Sequence, residues 1–133
     1  MLRYDGPFGT FVLNPQTISE KRHVFVATGT GIAPYHSFVK SYPGLDYKIV
    51  HGVKYSEEAY DKDDYDNNRY ILCTSKDSKG HFKGRVSDFF RKNAINKDDL
   101  FYLCGNGGMV YEIYDILQEK GVNTDQIFLE VYF

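Results

Sequence analysis

Arg22-His23-Val24-Phe25-Val26-Ala27-Thr28-Gly29-Thr30-Gly31-Ile32-Ala33-Pro34 runs from apolar, through small and glycine-rich, to a place where a helix can begin. That order predicts a buried strand, a tight turn and a helix N-terminus. Two glycines one residue apart let the backbone bend and let another group come close to it. Pro34 suits the first turn of a helix, where a missing N–H costs nothing. Free amides at such a helix start would face an anion. Two readings stand on this pattern: a phosphate-binding turn, and a plain strand–helix turn with no ligand. Gly-x-Gly is too short a signal to separate them.

Working outward, a chain of 133 residues with 42% hydrophobic content supports one core or slightly more. A formal charge of -2 leaves no electrostatic footprint for nucleic acid. No apolar run is long enough to span a bilayer and no secretory leader is visible, so a cytoplasmic setting is the default expectation. Cys73 and Cys104 lie too far apart for a metal knuckle or a redox pair and end apolar runs, so both read as free, buried thiols. His23, His36, His51 and His81 show no ligand spacing, and no metal is expected. Twelve Tyr and ten Phe with no Trp are a heavy aromatic load, available to cover something flat or to fill a core.

Residues 1–19 read as short extended pieces around the turn Asp5-Gly6-Pro7-Phe8-Gly9, closed by Asn14-Pro15, and are too little for a domain. From there strands and helices alternate. Strands are expected at residues 24–27, 47–51, 70–74, 100–104 and 127–131. Helices are expected at 33–41, from 56, at 86–93 and at 109–120, the last carrying Val110, Ile113, Ile116 and Leu117 at helical spacing and stopped by Gly121. Residues 61–68 are very polar and read as a fraying helix end plus loop, and residues 75–83 as a basic loop. Continuously apolar strands separated by helices predict an α/β fold: a Rossmann-like parallel five-stranded sheet with helices on both faces. Ligands bind such sheets beyond the carboxyl ends of the strands, where the strand order reverses. Thr28 to Gly31, Ser75-Lys76 and Cys104 to Met109 all fall there.

Five segments in this order carry a resemblance. They are Ala27-Thr28-Gly29-Thr30-Gly31-Ile32-Ala33-Pro34; His51-Gly52-Val53-Lys54-Tyr55-Ser56-Glu57-Glu58; Thr74-Ser75-Lys76 with Gly84-Arg85-Val86; Tyr102-Leu103-Cys104-Gly105-Asn106-Gly107-Gly108-Met109-Val110; and Glu130-Val131-Tyr132-Phe133. Together they resemble the C-terminal pyridine-nucleotide domain of the ferredoxin–NADP reductase superfamily, over residues 20–133. The turn at Asp5 to Gly9 looks like the one that closes that family's FAD-binding barrel. The barrel's flavin motifs do not occur in this chain. The resemblance therefore implies residues 1–19 as the end of a barrel and linker, residues 20–133 as the NAD(P)-binding domain, and a longer flavoprotein from which this piece comes. Such a piece is expected to bind nucleotide weakly and not to hold FAD stably.

The implied reaction is hydride transfer between NADP(H) and FAD, coupled to ferredoxin or flavodoxin, in which the protein mainly positions two rings. Thr28, Gly29, Thr30 and Gly31 would take the pyrophosphate or nicotinamide side, although the Thr28 hydroxyl is equally suited to capping its own turn. Cys104 matches the family's cysteine beside the meeting point of nicotinamide and flavin, Glu130 its acidic residue, and Tyr132 the terminal aromatic that nicotinamide must displace. These three are the implied catalytic set. Phe133 matches an extra aromatic that leans toward FAD. Gly105, Asn106 and Gly107 would let the dinucleotide pass, with Asn106-Gly107 standing where family members commonly have proline, and Met109 packs at the helix start. Ser75, Lys76 and Arg85 would take a 2′-phosphate, Arg85 by a bidentate contact, and His81 lies in the same loop. Asp77 beside them is the kind of group an NAD site uses to hold ribose hydroxyls. NADP is favoured over NAD. Two other readings remain: an NADH-dependent reductase module feeding another acceptor, and a nucleotide-binding regulatory module without catalysis.

Overall fold

The computed structural model describes residues 4–5, 10–11, 13, 18 and 20–131. Most of the turn at Asp5 to Gly9, Asn14-Pro15, Tyr132 and Phe133 lie outside the described residues. Strands β1 (Tyr4–Asp5) and β2 (Thr10–Phe11) pair antiparallel. Leu13 follows them and is buried in the same apolar cluster as Phe25 and Tyr35.

The rest builds on one parallel sheet. β3 (His23–Thr28) lies inside it, β4 (Tyr47–Val53), β5 (Tyr70–Thr74) and β6 (Phe82–Lys83) extend to one side, and β7 (Leu100–Gly105) and β8 (Ile127–Val131) to the other. The order is β6-β5-β4-β3-β7-β8, with every pair parallel. The strand order therefore reverses between β3 and β7. The sheet has six strands, not the five expected. The sixth, Phe82–Lys83, is two residues long and pairs only with Cys73 and Thr74, too short to leave an apolar run.

Helix α1 (Ala33–Ser41) follows β3, α2 (Val86–Lys92) precedes β7, and α3 (Gly107–Glu119) follows β7. Alternation along each strand sends side chains to two cores. Phe25, Ala27, Ile49, Leu72, Tyr102 and Cys104 face α1, together with Tyr35. Val24, Val26, Val50, Cys73, Phe101 and Leu103 face α2 and α3, with Val86, Phe90, Val110, Ile113 and Leu117. Much of the aromatic load goes into the α1-side core, where Phe25 stacks on Tyr35 at 4.6 Å and Tyr102 on Phe128 at 4.7 Å.

Two ends are secured locally. Gly121, at φ +94, turns the chain after α3; its N–H donates to Gln118 O and the Val122 N–H to Leu117 O, the reverse-turn stop that glycine favours. At the amino end of the sheet, Arg22 places Nε and Nη2 3.0 and 2.6 Å from Asp99 Oδ2, pairing a buried carboxylate.

The helix expected from Ser56 does not form. Residues 54–69 cross from β4 to β5 through two short 3-10 turns, Ser56–Glu58 and Lys62–Asp64. Glu58 Oε1 accepts the Tyr55 N–H at 2.8 Å, as a helix-starting acid would. The run that follows holds Asp61, Asp63, Asp64 and Asp66, whose like charges and low helix propensity stop propagation. Ala59 and Tyr65 still anchor the crossover to the α1-side core.

His23 and His51 are both buried, and burial lowers the affinity of each ring for a proton from its ordinary 6.5. The unfolded chain protonates them near 6.5 while the folded chain resists, so stability is present above that value and lost as the pH falls below it. Urea unfolding between pH 7.5 and 5 should show the unfolding free energy dropping by up to about 1.4 kcal/mol per pH unit for each histidine. A flat profile across that window would refute the assignment.

Candidate functional site

The carboxyl ends of β3 and β7 are locked together by small residues. A Cβ on Gly31 would lie 2.8 Å from the Cys104 carbonyl oxygen, and one on Gly105, at φ +132, would run into the Thr28 hydroxyl. The Thr28 hydroxyl instead accepts the Asn106 N–H at 3.2 Å, joining the two glycine turns. Thr28 thus ties across the sheet and does not cap its own turn. Asn106 is the N-cap of α3: its Oδ1 accepts the N–H groups of Gly108 at 2.9 Å and Met109 at 3.3 Å.

Beside this junction, on the α2–α3 side, lies a cleft of about 340 Å³. Thr28 and Gly29 line it from the end of β3, Lys54 and Glu58 from beyond β4, Ser75 from beyond β5, Arg85 from the start of α2, and Asn106 and Met109 from α3. The close approach of Gly52 to the Val86 side chain shapes its floor. A Cβ on Gly29 would meet nothing within 4 Å, so a ligand can reach the backbone there. The cleft is thus open at a glycine, bordered by two cations, and placed where an open α/β sheet binds its ligand.

The family profile for the oxidoreductase NAD-binding domain matches residues 25–114. The chain belongs to that family. It is the pyridine-nucleotide domain of the ferredoxin–NADP reductase superfamily. It is 29% identical over 156 residues to the chloroplastic root isozyme 2 of ferredoxin–NADP reductase from Arabidopsis thaliana, covering 93% of this chain and 40% of that protein. It is 31% identical over 117 residues to a probable dihydroorotate dehydrogenase B (NAD(+)) electron transfer subunit from Archaeoglobus fulgidus, covering 84% of this chain and 48% of that one. Among solved structures, the ferredoxin–NADP+ reductase of Plasmodium falciparum with 2′P-AMP superposes with a TM-score of 0.62 at 25% identity, over 96% of this chain and 57% of that chain. A cytochrome P450 reductase from Amycolatopsis shares the fold with a TM-score of 0.78 at 21% identity, over 95% of this chain and 42% of that chain. The chain spans about half or less of the curated relatives it matches. No helix among the described residues is long and apolar enough to cross a membrane.

Within this nucleotide-domain fold, the residues singled out in the sequence do not all come together. Thr28, Gly29, Ser75, Arg85, Asn106 and Met109 meet around the cleft. Cys104 and Glu130 do not. They pair in register on β7 and β8, beside Ala27 of β3, and Cys104 faces the α1-side core. Both are buried, at 0% and 3% exposure. Thr30 lines a second cleft of about 340 Å³ on the α1 side, with Gly29, His51, Glu58, Tyr60 and Tyr70. Gly31 is consumed by packing against β7. Lys76 is exposed, and its N–H donates to Lys54 O at 2.9 Å.

Two acceptors in the loop after β5 are committed to the fold. Asp77 Oδ2 accepts the Ser56 N–H and Oδ1 the Lys79 N–H, at 2.8 and 2.9 Å, and these amides hold the carboxyl below the usual carboxylate range. His81 turns away from the cleft, its Nδ1 accepting the Leu72 N–H at 2.9 Å. Cys73 is a buried thiol pushed up to about 12 by desolvation. The sequence reading gave no role to Lys54 and Glu58. Their signal was positional: both follow closely on the apolar run of β4, at the ligand end of the sheet.

The junction makes a stability prediction. Gly105→Ala combines a left-handed φ with a collision against Thr28, and should cost about 3 kcal/mol or more. Gly44→Ala has open space and no unusual φ, and should be neutral or stabilise by up to about 1 kcal/mol. Urea unfolding of the two variants against wild type checks both, and a Gly105→Ala chain as stable as wild type would remove the junction from this account.

Proposed function

We propose that this chain is the coenzyme-binding part of a flavin-dependent reductase that moves a hydride between NADP(H) and FAD, with ferredoxin or flavodoxin as its electron partner. In this reading residues 1–19 are the end of the FAD-binding barrel and residues 20–133 the nucleotide domain. The observation that carries it is the convergence of Ser75, Lys54 and Arg85 with the open Gly29 turn around one cleft. Donors and cations suit a nucleotide phosphate, and the accessible glycine backbone suits close passage of a dinucleotide. The Plasmodium falciparum reductase with 2′P-AMP supports the same coenzyme.

The residues divide the work. Ser75 and Arg85 hold the 2′-phosphate, with Lys76 adding charge from the exposed side. Thr28, Gly29, Asn106 and Met109 border the path toward the nicotinamide. A bound nicotinamide would supply or take up the hydride that the flavin of the longer protein would exchange with it. Cys104 and Glu130 lie on the α1 side of the sheet, and the family resemblance gives Tyr132 the role of the aromatic that nicotinamide displaces. The same resemblance gives Phe133 the role of a further aromatic beside FAD.

Glu58 favours a second reading. A carboxylate lines the cleft and is suited to ribose hydroxyls, as in an NADH-linked module. The archaeal relative carries NAD(+) in its name.

Calorimetric titration of the chain with 2′-phospho-AMP and with AMP separates the two. The NADP reading expects tighter binding of 2′-phospho-AMP. Arg85→Ala should then weaken that ligand by about 1.5–3 kcal/mol, the range for a charge-assisted hydrogen bond, and leave AMP nearly unchanged. Equal losses for both ligands, or better binding of AMP by wild type, would move the assignment to the NADH-linked module.

A further inference from the structure

Gly29, with Glu58, lines both clefts. It sits at φ +54 with open space where a side chain would be, so sterics do not hold its conformation. A hydrogen bond from the neighbouring strand does. His51, on β4, pairs in register with Ala27, and its ring reaches the turn beyond Thr28. Its Nε2 lies 2.8 Å from Gly29 O, and its Nδ1 lies 2.7 Å from the Tyr70 hydroxyl on β5. A carbonyl oxygen only accepts, so Nε2 carries the proton. Nδ1 is then bare and accepts from the Tyr70 O–H. The ring is 2% exposed and burial favours its neutral form.

We propose that His51 is a positioning residue for coenzyme binding: through its Nε2–H it holds the Gly29 turn in the shape that receives the central, diphosphate part of a pyridine dinucleotide. Tyr70 fixes the tautomer that makes this possible. The proposal rests on the nucleotide reading of the cleft and adds a residue that touches no ligand. A glycine turn held in advance spares the ligand the cost of ordering it. Affinity for a ligand that spans the turn then depends on His51. Affinity for one that reaches only Ser75 and Arg85 does not.

The test uses the 133-residue chain, calorimetry with NADP+ and with 2′-phospho-AMP, and a thermal melt for each variant. His51→Leu keeps apolar volume and removes the donor. It should weaken NADP+ by roughly fivefold to tenfold, the worth of a single neutral hydrogen bond, and 2′-phospho-AMP by less than about twofold. His51→Gln places an amide N–H near the Nε2 position and should restore NADP+ to within about twofold of wild type. Tyr70→Phe leaves the ring but frees its tautomer, and should cost about twofold to threefold on NADP+ alone. If His51→Leu does not fold, the glutamine and phenylalanine variants carry the same contrast. Equal losses on both ligands would assign His51 a purely structural role and overturn the proposal. So would unchanged NADP+ binding in a folded His51→Leu chain, or no recovery in a folded His51→Gln chain. Wild type that binds 2′-phospho-AMP while losing nothing on mutation leaves the coenzyme reading standing and removes this one. Wild type that binds neither ligand overturns both.

Discussion

The site depends on how closely β3 and β7 approach at their carboxyl ends. Gly31 lies against the Cys104 carbonyl, Gly105 against Thr28, and the Thr28 hydroxyl accepts from the Asn106 amide. A side chain at either glycine would force the strands apart where the chain leaves toward opposite faces of the sheet. That divergence creates the crevice, and the small residues keep its base narrow enough for one turn to touch the other. The shape of the crevice and the stability of the junction therefore depend on the same few contacts.

The two faces of the sheet do different things. The α2–α3 face presents the cleft with Ser75, Lys54 and Arg85 at its border. The α1 face holds Cys104 and Glu130 side by side under cover. Strand alternation makes this separation unavoidable, because Thr28 and Ala27 are consecutive and must point opposite ways. A ligand engaging both groups has to pass over the strand ends at Gly29, which with Glu58 lines both clefts.

What could be read from the sequence follows from how locally each feature is encoded. β3, β5, β7, β8 and the helices at 33, 86 and 107 are long apolar or periodic runs, and they appeared within a residue or two of their expected positions. β6 did not, because two residues stabilised by one neighbour have no pattern of their own. The Ser56 segment misled because its acids satisfy a helix start while the next eight residues refuse to continue one. Six candidate binding residues converge on the cleft because they end strands or begin helices, and topology gathers such positions. Thr30, Gly31, Cys104 and Glu130 sit elsewhere. Their facing depends on the exact pleat register, which the motif order does not state. His51 lies on β4 and Lys54 just beyond it, but the contacts that place them, His51 to Gly29 22 residues away and Lys54 across the cleft, are invisible to spacing.

The cap on α3 explains where charge recognition has to lie. A helix start facing a ligand crevice ordinarily offers bare amides to a phosphate. Here Asn106 Oδ1 takes the amides of Gly108 and Met109, and Thr28 takes the amide of Asn106 itself. With three donors spent on the junction, the backbone contributes shape more than charge at this end of the crevice. Under the proposed coenzyme reading, an anionic ligand would be held by side chains at the opposite border, Lys54, Ser75 and Arg85. Asp77 lies beside them, but its oxygens are occupied by the amides of Ser56 and Lys79, so its charge serves the loop before it serves a ligand. The fold thus spends the amides at the start of α3 on closing the strand junction, and the proposed reading places coenzyme discrimination on three side chains from three separate segments. Under that reading the turn would stay constant while preference between phosphorylated and plain nucleotides is tuned independently of it.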